Sequence, residues 1–309
     1  MIYTLTLNPA IDLFIQTKEM QKNQVNRTEK YDIQANGKGI NVSFILKRLG
    51  LLNTATGVGG GFTLKHITQE LSKNGIPNYF VEADGITRIN VFTHVNSENC
   101  EYKLVNPGPK VADKYQKKLL TYFDKLQPGD IVSLSGSFSA GIAPGIIVDL
   151  AKLIQRKGAQ FVVDTSYREV LDILPYHPLL LKPNQEEVKD WYGVNENLSV
   201  ANVARLAEKL VKDGAQNVLL SLGKDGAVLL NNKYIYYGNA PHIEPLNSAG
   251  AGDSMLGTFI AGLAKGTEPQ INLRKSIAAG SDTTRNMWIT DFKHTTQLET
   301  EIKIKELHI

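Results

Sequence analysis

Ser248-Ala249-Gly250-Ala251-Gly252-Asp253-Ser254 leads directly into Met255-Leu256-Gly257-Thr258-Phe259-Ile260. Two glycines separated by one alanine, then an aspartate, then an apolar run, describe a loop whose backbone N–H groups open into a helix. The first amides of a helix have no intrahelical acceptor and lie at the positive end of its dipole, so such a terminus suits anions. Gly250 and Gly252 carry no side chain and let a charged ligand approach the backbone. Asp253 stands at the rim of the hole those amides make, which places a candidate base beside candidate phosphate oxygens. Taken alone, Asp253 reads first as a capping residue. The rest of the chain changes that.

A second glycine turn, Ala35-Asn36-Gly37-Lys38-Gly39-Ile40-Asn41-Val42, also feeds a helix, with Ile40, Phe44, Leu46 and Leu49 as its buried side and Gly50 as its end. Between the two turns, short apolar strands alternate with helical stretches. Strands are expected at 2–7, 53–58, 79–81, 131–134, 161–164, 179–181 and 217–222. Helices are expected near 62–73, 111–126, 184–191 and 199–213, with another starting at Pro144. The segments 226–230 and 233–237 form a hairpin through Asn231-Asn232. Two final helices, one from Ala251 and one near 270–286, close the body. This alternation predicts an α/β fold: a doubly wound, mostly parallel sheet with helices on both faces. Two strand-like excursions, at about 11–35 and 87–105, leave that body and suggest a small β lid on a single domain spanning 1–309.

Composition narrows the function. Of 309 residues, 42% are apolar and 21% charged, and no run approaches the ~18 apolar residues of a spanning helix. The net charge of +3, without a basic tract, argues against nucleic acid. Cys100 is the only cysteine, which excludes an internal disulfide, and the six histidines are too scattered for zinc. Met1 to Leu7 alternates like a strand and lacks a basic leader region, so no signal peptide and a cytoplasmic location are expected. Gly223-Lys224-Asp225 has the wrong residue after lysine for a P-loop. Gly57-Val58-Gly59-Gly60-Gly61-Phe62 fails the dinucleotide fingerprint at its last position. Two glycine turns able to hold anions, at opposite ends of one α/β chain, suit phosphoryl transfer.

The two turns, Asn36 to Val42 and Ala249 to Ser254, resemble the two signatures of the ribokinase/PfkB carbohydrate kinases, and the resemblance spans nearly the whole chain. Leu7-Asn8-Pro9-Ala10-Ile11-Asp12 and the Asn106-Pro107-Gly108-Pro109 turn resemble the phosphosugar branch, meaning 1-phosphofructokinase and tagatose-6-phosphate kinase. The resemblance implies that Asp253 is the general base, with the Gly250, Ala251 and Gly252 amides as the anion hole for the transferred group. Charge stabilisation of this kind is most of what phosphoryl transfer requires. It further implies that Asp12 and Asn41 bind sugar hydroxyls, that Gly37 and Gly39 admit the sugar to the backbone, and that Lys38 offsets phosphate charge. Arg27 and Arg88, on the lid excursions, would take the sugar phosphate, for which the planar guanidinium is suited.

On the nucleotide side, Lys182-Pro183-Asn184-Gln185-Glu186-Glu187 resembles the family's Asn-x-x-Glu element. Glu187 would hold Mg²⁺ through water, with Asp164 assisting. Ser221, Gly223 and Gly226 resemble the loop that meets ATP phosphates, and Asn286 lies near the adenine by the same comparison. The chain departs from the pattern at Asn36, where glycine is usual, and at the Asn106 turn, which lacks an upstream acid. It departs again at Met287-Trp288-Ile289-Thr290, where a small glycine-containing stretch is usual. The expected activity is ATP-dependent phosphorylation of a ketohexose phosphate, fructose 1-phosphate or tagatose 6-phosphate, by a homodimer paired through the lid. Rival readings are a kinase of an unphosphorylated sugar or nucleoside, and a sugar-phosphate-binding regulator without turnover.

Overall fold

The computed structural model describes residues 1–309. From the N-terminus, β1 (Ile2–Thr6), β2 (Ala10–Thr17) and β3 (Lys30–Asn36) precede α1 (Lys38–Arg48). β4 (Asn53–Gly59), α2 (Gly61–Lys73), β5 (Asn78–Glu82), β6 (Arg88–Val95) and β7 (Cys100–Leu104) follow. The middle of the chain runs α3 (Asp113–Tyr122), β8 (Ile131–Ser135), α4 (Ile146–Arg156), β9 (Gln160–Asp164), β10 (Leu180–Leu181), α5 (Gln185–Tyr192) and α6 (Val200–Lys212). β11 (Val218–Ser221), β12 (Ala227–Leu230), β13 (Ile235–Gly238), α7 (Ala251–Ala264), α8 (Pro269–Thr284), α9 (Thr295–Glu299) and β14 (Ile304–Glu306) complete it.

Ten strands form one sheet in the order β14-β13-β12-β11-β10-β9-β8-β1-β4-β5. The pairs from β5 to β11 are parallel and those from β11 to β14 antiparallel. The chain builds outward from β1 through β4 and β5, then returns beside β1 as β8 and builds the other way. Such a reversal of strand order opens a crevice at the carboxyl ends of the strands. Strand alternation supplies both cores. Tyr3, Leu5 and Leu7 enter the larger apolar cluster with residues of α3, α4 and α6, while Ile2 joins Val42, Leu46 and residues of α7 and α8 on the other face.

α7 is buried continuously from Asp253 to Gly262, because α1 and α8 pack against it. Gly257 makes the first of these contacts possible: a Cβ there would lie 2.7 Å from Ile45 Cγ2. The two helices that begin at the glycine turns therefore lie side by side. β3, β2, β6 and β7, in that order, form a separate four-stranded sheet of two antiparallel hairpins joined by the parallel pair β2–β6. Ile11 and Ala35 tie it to Ile40 and Phe44 of α1 and Ile67 of α2.

The expectation that two helices close the body is corrected at the C-terminus, where α9 and the edge strand β14 follow α8. A three-residue strand among polar neighbours carries no period long enough to read. Because Gly257 permits the α1–α7 contact, Gly257→Ala is expected to lower stability by about 1–3 kcal/mol through overpacking. Gly145→Ala, with φ of −56° and nothing within 4 Å of its new methyl group, should leave the thermal midpoint nearly unchanged. Equal midpoints in a paired calorimetric scan would show that the α1–α7 contact has room to spare.

Candidate active site

At the carboxyl ends of the strands, a cleft of about 370 Å³ is lined from both sheets and from both glycine turns. Asp12, Asn36, Gly37, Lys38, Asn41 and Arg88 line one part of it, and Lys182, Asn184, Glu187, Ser221 and the 248–253 loop another.

Asp253 is the third residue of α7 and only 5% exposed. Asn41 Nδ2, from α1, donates to Asp253 Oδ2 at 2.8 Å. Burial raises the Asp253 carboxyl to about 6. Lys38, the Asn41 hydrogen bond and Lys182 hold it down against that, while Asp164 pushes it further up. Gly250, just before the helix, has φ of 79°, in the left-handed region, and a Cβ there would also strike Ile289 Cγ2 at 2.7 Å. The Ala251 N–H turns back to Ser248 O at 3.4 Å, whereas the N–H groups of Gly252 and Asp253 have no intrahelical acceptor.

Two ammonium groups stand beside this terminus. Lys182 Nζ lies 3.2 Å and Lys38 Nζ 3.4 Å from Asp164 Oδ1. A Cβ on Gly252 would lie 3.3 Å from Lys182 Nζ, so that glycine admits the lysine to the helix end. Burial pushes the Asp164 carboxyl up, but Lys182 and Lys38 outweigh it and hold it below its ordinary value. Asp164 in turn raises Lys38, against the opposing effect of burial and with help from Asp253 and Glu187. The Asp164 carboxylate is thus paired with two cations and anchors them at the cleft. Asn184 and Glu187 form a reciprocal cap of α5, with Asn184 Oδ1 accepting the Glu187 N–H at 2.8 Å and Glu187 Oε2 accepting the Asn184 N–H at 2.9 Å. Glu187 Oε1 makes no hydrogen bond within the protein, which fits a water-mediated contact to a hydrated Mg²⁺.

The other part of the cleft is a network of amides. Asp12 Oδ1 accepts from Asn90 Nδ2 at 2.7 Å, and Asp12 Oδ2 accepts from Asn36 Nδ2. Burial raises Asp12, opposed by these two hydrogen bonds and by Arg88. Arg88 Nη2 donates to Asn8 O at 3.2 Å, and its Nε is buried without a partner. Neither Asn36 nor Asn90 is among the site residues expected from sequence. Asn90 was within reach, because it lies two residues from Arg88 on one strand face and directly opposite Asp12.

Several expected residues lie elsewhere. Arg27 is exposed in the 18–29 connection and does not line the cleft. Gly39 packs on β1, where a Cβ would sit 2.5 Å from Thr6 Oγ1 and 2.9 Å from Leu5 O, so its role is helix–strand contact. Gly223 and Gly226 make the β11–β12 turn; a Cβ on Gly226 would overlap Gly238 O at 2.0 Å. Asn286 donates to Asp282 O at the end of α8. The unusual Trp288 packs edge-on to Phe44, with the Arg48 guanidinium 5.1 Å over its ring, and so braces α1.

A buried carboxylate at an open helix terminus, beside two anchored lysines in a doubly wound α/β protein, is an arrangement suited to phosphoryl transfer. The sequence pattern of the pfkB family carbohydrate kinases matches residues 5–287, and the chain belongs to that family. It is 38% identical over 307 residues to D-tagatose-1-phosphate kinase of Bacillus licheniformis, covering 99% of this chain and 100% of that one. It is 34% identical over 307 residues to 1-phosphofructokinase of Bacillus subtilis, with the same coverage. Solved structures of phosphofructokinase-2 from Escherichia coli are 29% identical and cover 97% of this chain and 98% of theirs. They include a complex with fructose-6-phosphate at a TM-score of 0.86 and a tetrameric inhibited form at 0.88.

The folded Asp253 carboxyl titrates above its ordinary value of 3.8, so the protonated native state is favoured. The resulting stability is present below that ordinary value and is lost as pH rises through about 6. Asp253→Asn should accordingly be more stable than the wild type by about 1–3 kcal/mol at pH 8. The difference should shrink towards pH 4. A pH-independent difference in denaturant midpoints would contradict the raised carboxyl.

Proposed function

We propose that the chain is an ATP-dependent kinase that transfers the γ-phosphoryl group to a hydroxyl of a ketohexose phosphate, giving a hexose bisphosphate. The observation that carries this reading is the buried Asp253 carboxylate, raised to about 6 and set in the first turn of α7 beside Lys182 and Lys38. A base near 6 is ionised at neutral pH yet strong enough to accept the proton of an attacking hydroxyl. The open amides at Gly252 and Asp253, with the Gly250 turn shaping them, receive charge building on the transferred group. Lys182 and Lys38 offset the polyphosphate, with Asn184 and Ser221 beside them. Mg²⁺, held through water by Glu187, supplies further neutralisation of phosphate charge.

Asp12, Asn41, Gly37 and Arg88 form the sugar end. The names of the two Bacillus relatives favour a ketohexose 1-phosphate over tagatose 6-phosphate. Binding without turnover explains a cleft but not a base tuned in this way, and an unphosphorylated substrate leaves Arg88 without a purpose. The small sheet acts as a lid that excludes water during transfer. Tyr31 and Ile33 on β3, with Tyr102 and Leu104 on β7, leave its outer strands apolar and exposed, which supports a homodimer paired through this sheet. A cytoplasmic location belongs to the same proposal.

ADP release from Mg-ATP should be measured with fructose 1-phosphate, tagatose 1-phosphate, tagatose 6-phosphate, fructose 6-phosphate and free fructose. Turnover on a phosphosugar is expected, falling by at least about 10²-fold in Asp253→Asn, the contribution typical of a general base. Undiminished turnover in that variant removes Asp253 as base, and silence on all five sugars removes the kinase reading. Light scattering should report a dimer for the wild type and a monomer for the double variant Ile33→Asp, Leu104→Asp. A dimeric mass in that variant would place the interface elsewhere.

A further inference from the structure

Asn36 departs from the family's usual glycine and yet sits at the centre of the sugar end. Its Nδ2 donates to Asp12 Oδ2, while its Oδ1 accepts the Gly37 N–H at 2.6 Å and Asn41 Nδ2 at 2.9 Å. Asp12 is fixed from its other side by Asn90, and Asn41 by Asp253. We propose that Asn36, bridging Asp12 and Asn41 in the cleft, is a specificity-determining residue that sets the preference between ketose phosphates differing in the configuration of one hydroxyl. The proposal rests on the phosphosugar kinase reading and adds to it the residue that discriminates.

Counting donors and acceptors carries the argument. An amide nitrogen has two protons and an amide oxygen two lone pairs. Both Asn41 Nδ2 protons are used, on Asn36 and on Asp253, so Asn41 has only its oxygen left to offer. That Oδ1 is buried and has no donor in the protein. Each Asp12 oxygen already accepts one amide proton. The second Nδ2 proton of Asn36 has no protein acceptor. With asparagine at 36, Asp12 therefore presents its remaining lone pairs and Asn36 one amide proton, beside the donors of Arg88 and Asn90, while Asn41 has no proton left to offer. With glycine, the donor at 36 disappears, Asn41 recovers a free proton, and Asp12 Oδ2 recovers a lone pair. The donor moves from one wall of the cleft to the other.

Inverting one carbon of a sugar moves one hydroxyl while leaving the rest in place, and a site of fixed polar groups responds strongly to a hydroxyl that has lost its partner. D-fructose 1-phosphate and D-tagatose 1-phosphate, which differ only at C4, are such a pair. kcat/KM for both epimers, KM for ATP, and the dissociation constant of each epimer by calorimetry should be compared in wild type, Asn36→Gly and Asn36→Ala. The alanine variant removes the amide without adding backbone freedom.

The expected result is a change of tenfold or more in the ratio of the two epimers, in the same direction in both variants. KM for ATP should stay within twofold. A common loss on both epimers, with the ratio held within twofold, would assign Asn36 a merely structural role and overturn the proposal. Wild-type binding without turnover would refute the kinase reading, while the ratio of dissociation constants still decides on Asn36. If neither epimer binds, the proposal for Asn36 is overturned, and the kinase reading rests on the other sugars tested.

Discussion

One buried hydrogen bond joins the two ends of the chain: Asn41, in the first turn of α1, donates to Asp253, in the first turn of α7. Neither group would sit comfortably alone. A carboxylate at 5% exposure needs donors, and a buried amide needs acceptors. Their pairing depends on the near contact of two helices whose turns are 212 residues apart, and that contact depends on Gly257 against Ile45. The parallel sheet beneath holds α1 and α7 on one face, so both glycine turns open at the same end of the strands. The site is thus a consequence of helix packing, with its chemistry placed at the point where the two helices begin.

Asp164 shows a second constraint. It is 1% exposed, and its charge fixes Lys182 and Lys38 at the cleft. Buried ammonium groups tend to lose their proton, and a neutral lysine cannot offset phosphate. Placing the carboxylate behind them keeps Lys38 charged. The remaining Asp164 oxygen is buried without a hydrogen-bond partner, and the carboxylate keeps its charge close to Asp253. That charge is one of the influences that raise Asp253. The two lysines of the same cluster hold Asp253 down, so burial, with Asp164 adding to it, is what leaves the carboxyl raised.

Much of the fold was legible because its signals are local. The apolar strands of a buried parallel sheet, and glycine turns before amphipathic helices, announce themselves within a dozen residues. Asp253, Asn41, Asp12 and Lys182 were equally legible, each lying in or beside a turn with a recognisable pattern. What was hidden depends on distance between segments. Gly39 looks like a ligand-facing glycine, and only the proximity of Thr6 and Leu5 O shows that it faces β1. Nothing local shows why Gly226 must be glycine until Gly238 O is seen against it. Trp288 looks out of place where a small residue is usual, and only the structure shows Phe44 and Arg48 receiving it. In β14, the opposite problem holds: three residues form a strand only because β13 offers an open edge.

The amide network carries these separate constraints into one another. The Asn106 N–H donates to Asn90 Oδ1, Asn90 to Asp12, Asn36 to Asp12 and Asn41 to both Asn36 and Asp253. The path therefore runs from the small sheet, through Asp12 and Asn36, to Asp253. Asn36 and Asn90 both donate and accept, and Asn41 donates twice, so the neighbours of each amide set its orientation. A sheet tied to the base by such a network cannot shift without disturbing the environment of the carboxylate. Burial is the largest influence raising Asp253, and enclosing the cleft deepens burial. On the proposed reading, exclusion of water, which would protect the reacting group, would also keep the carboxylate basic enough to take the proton.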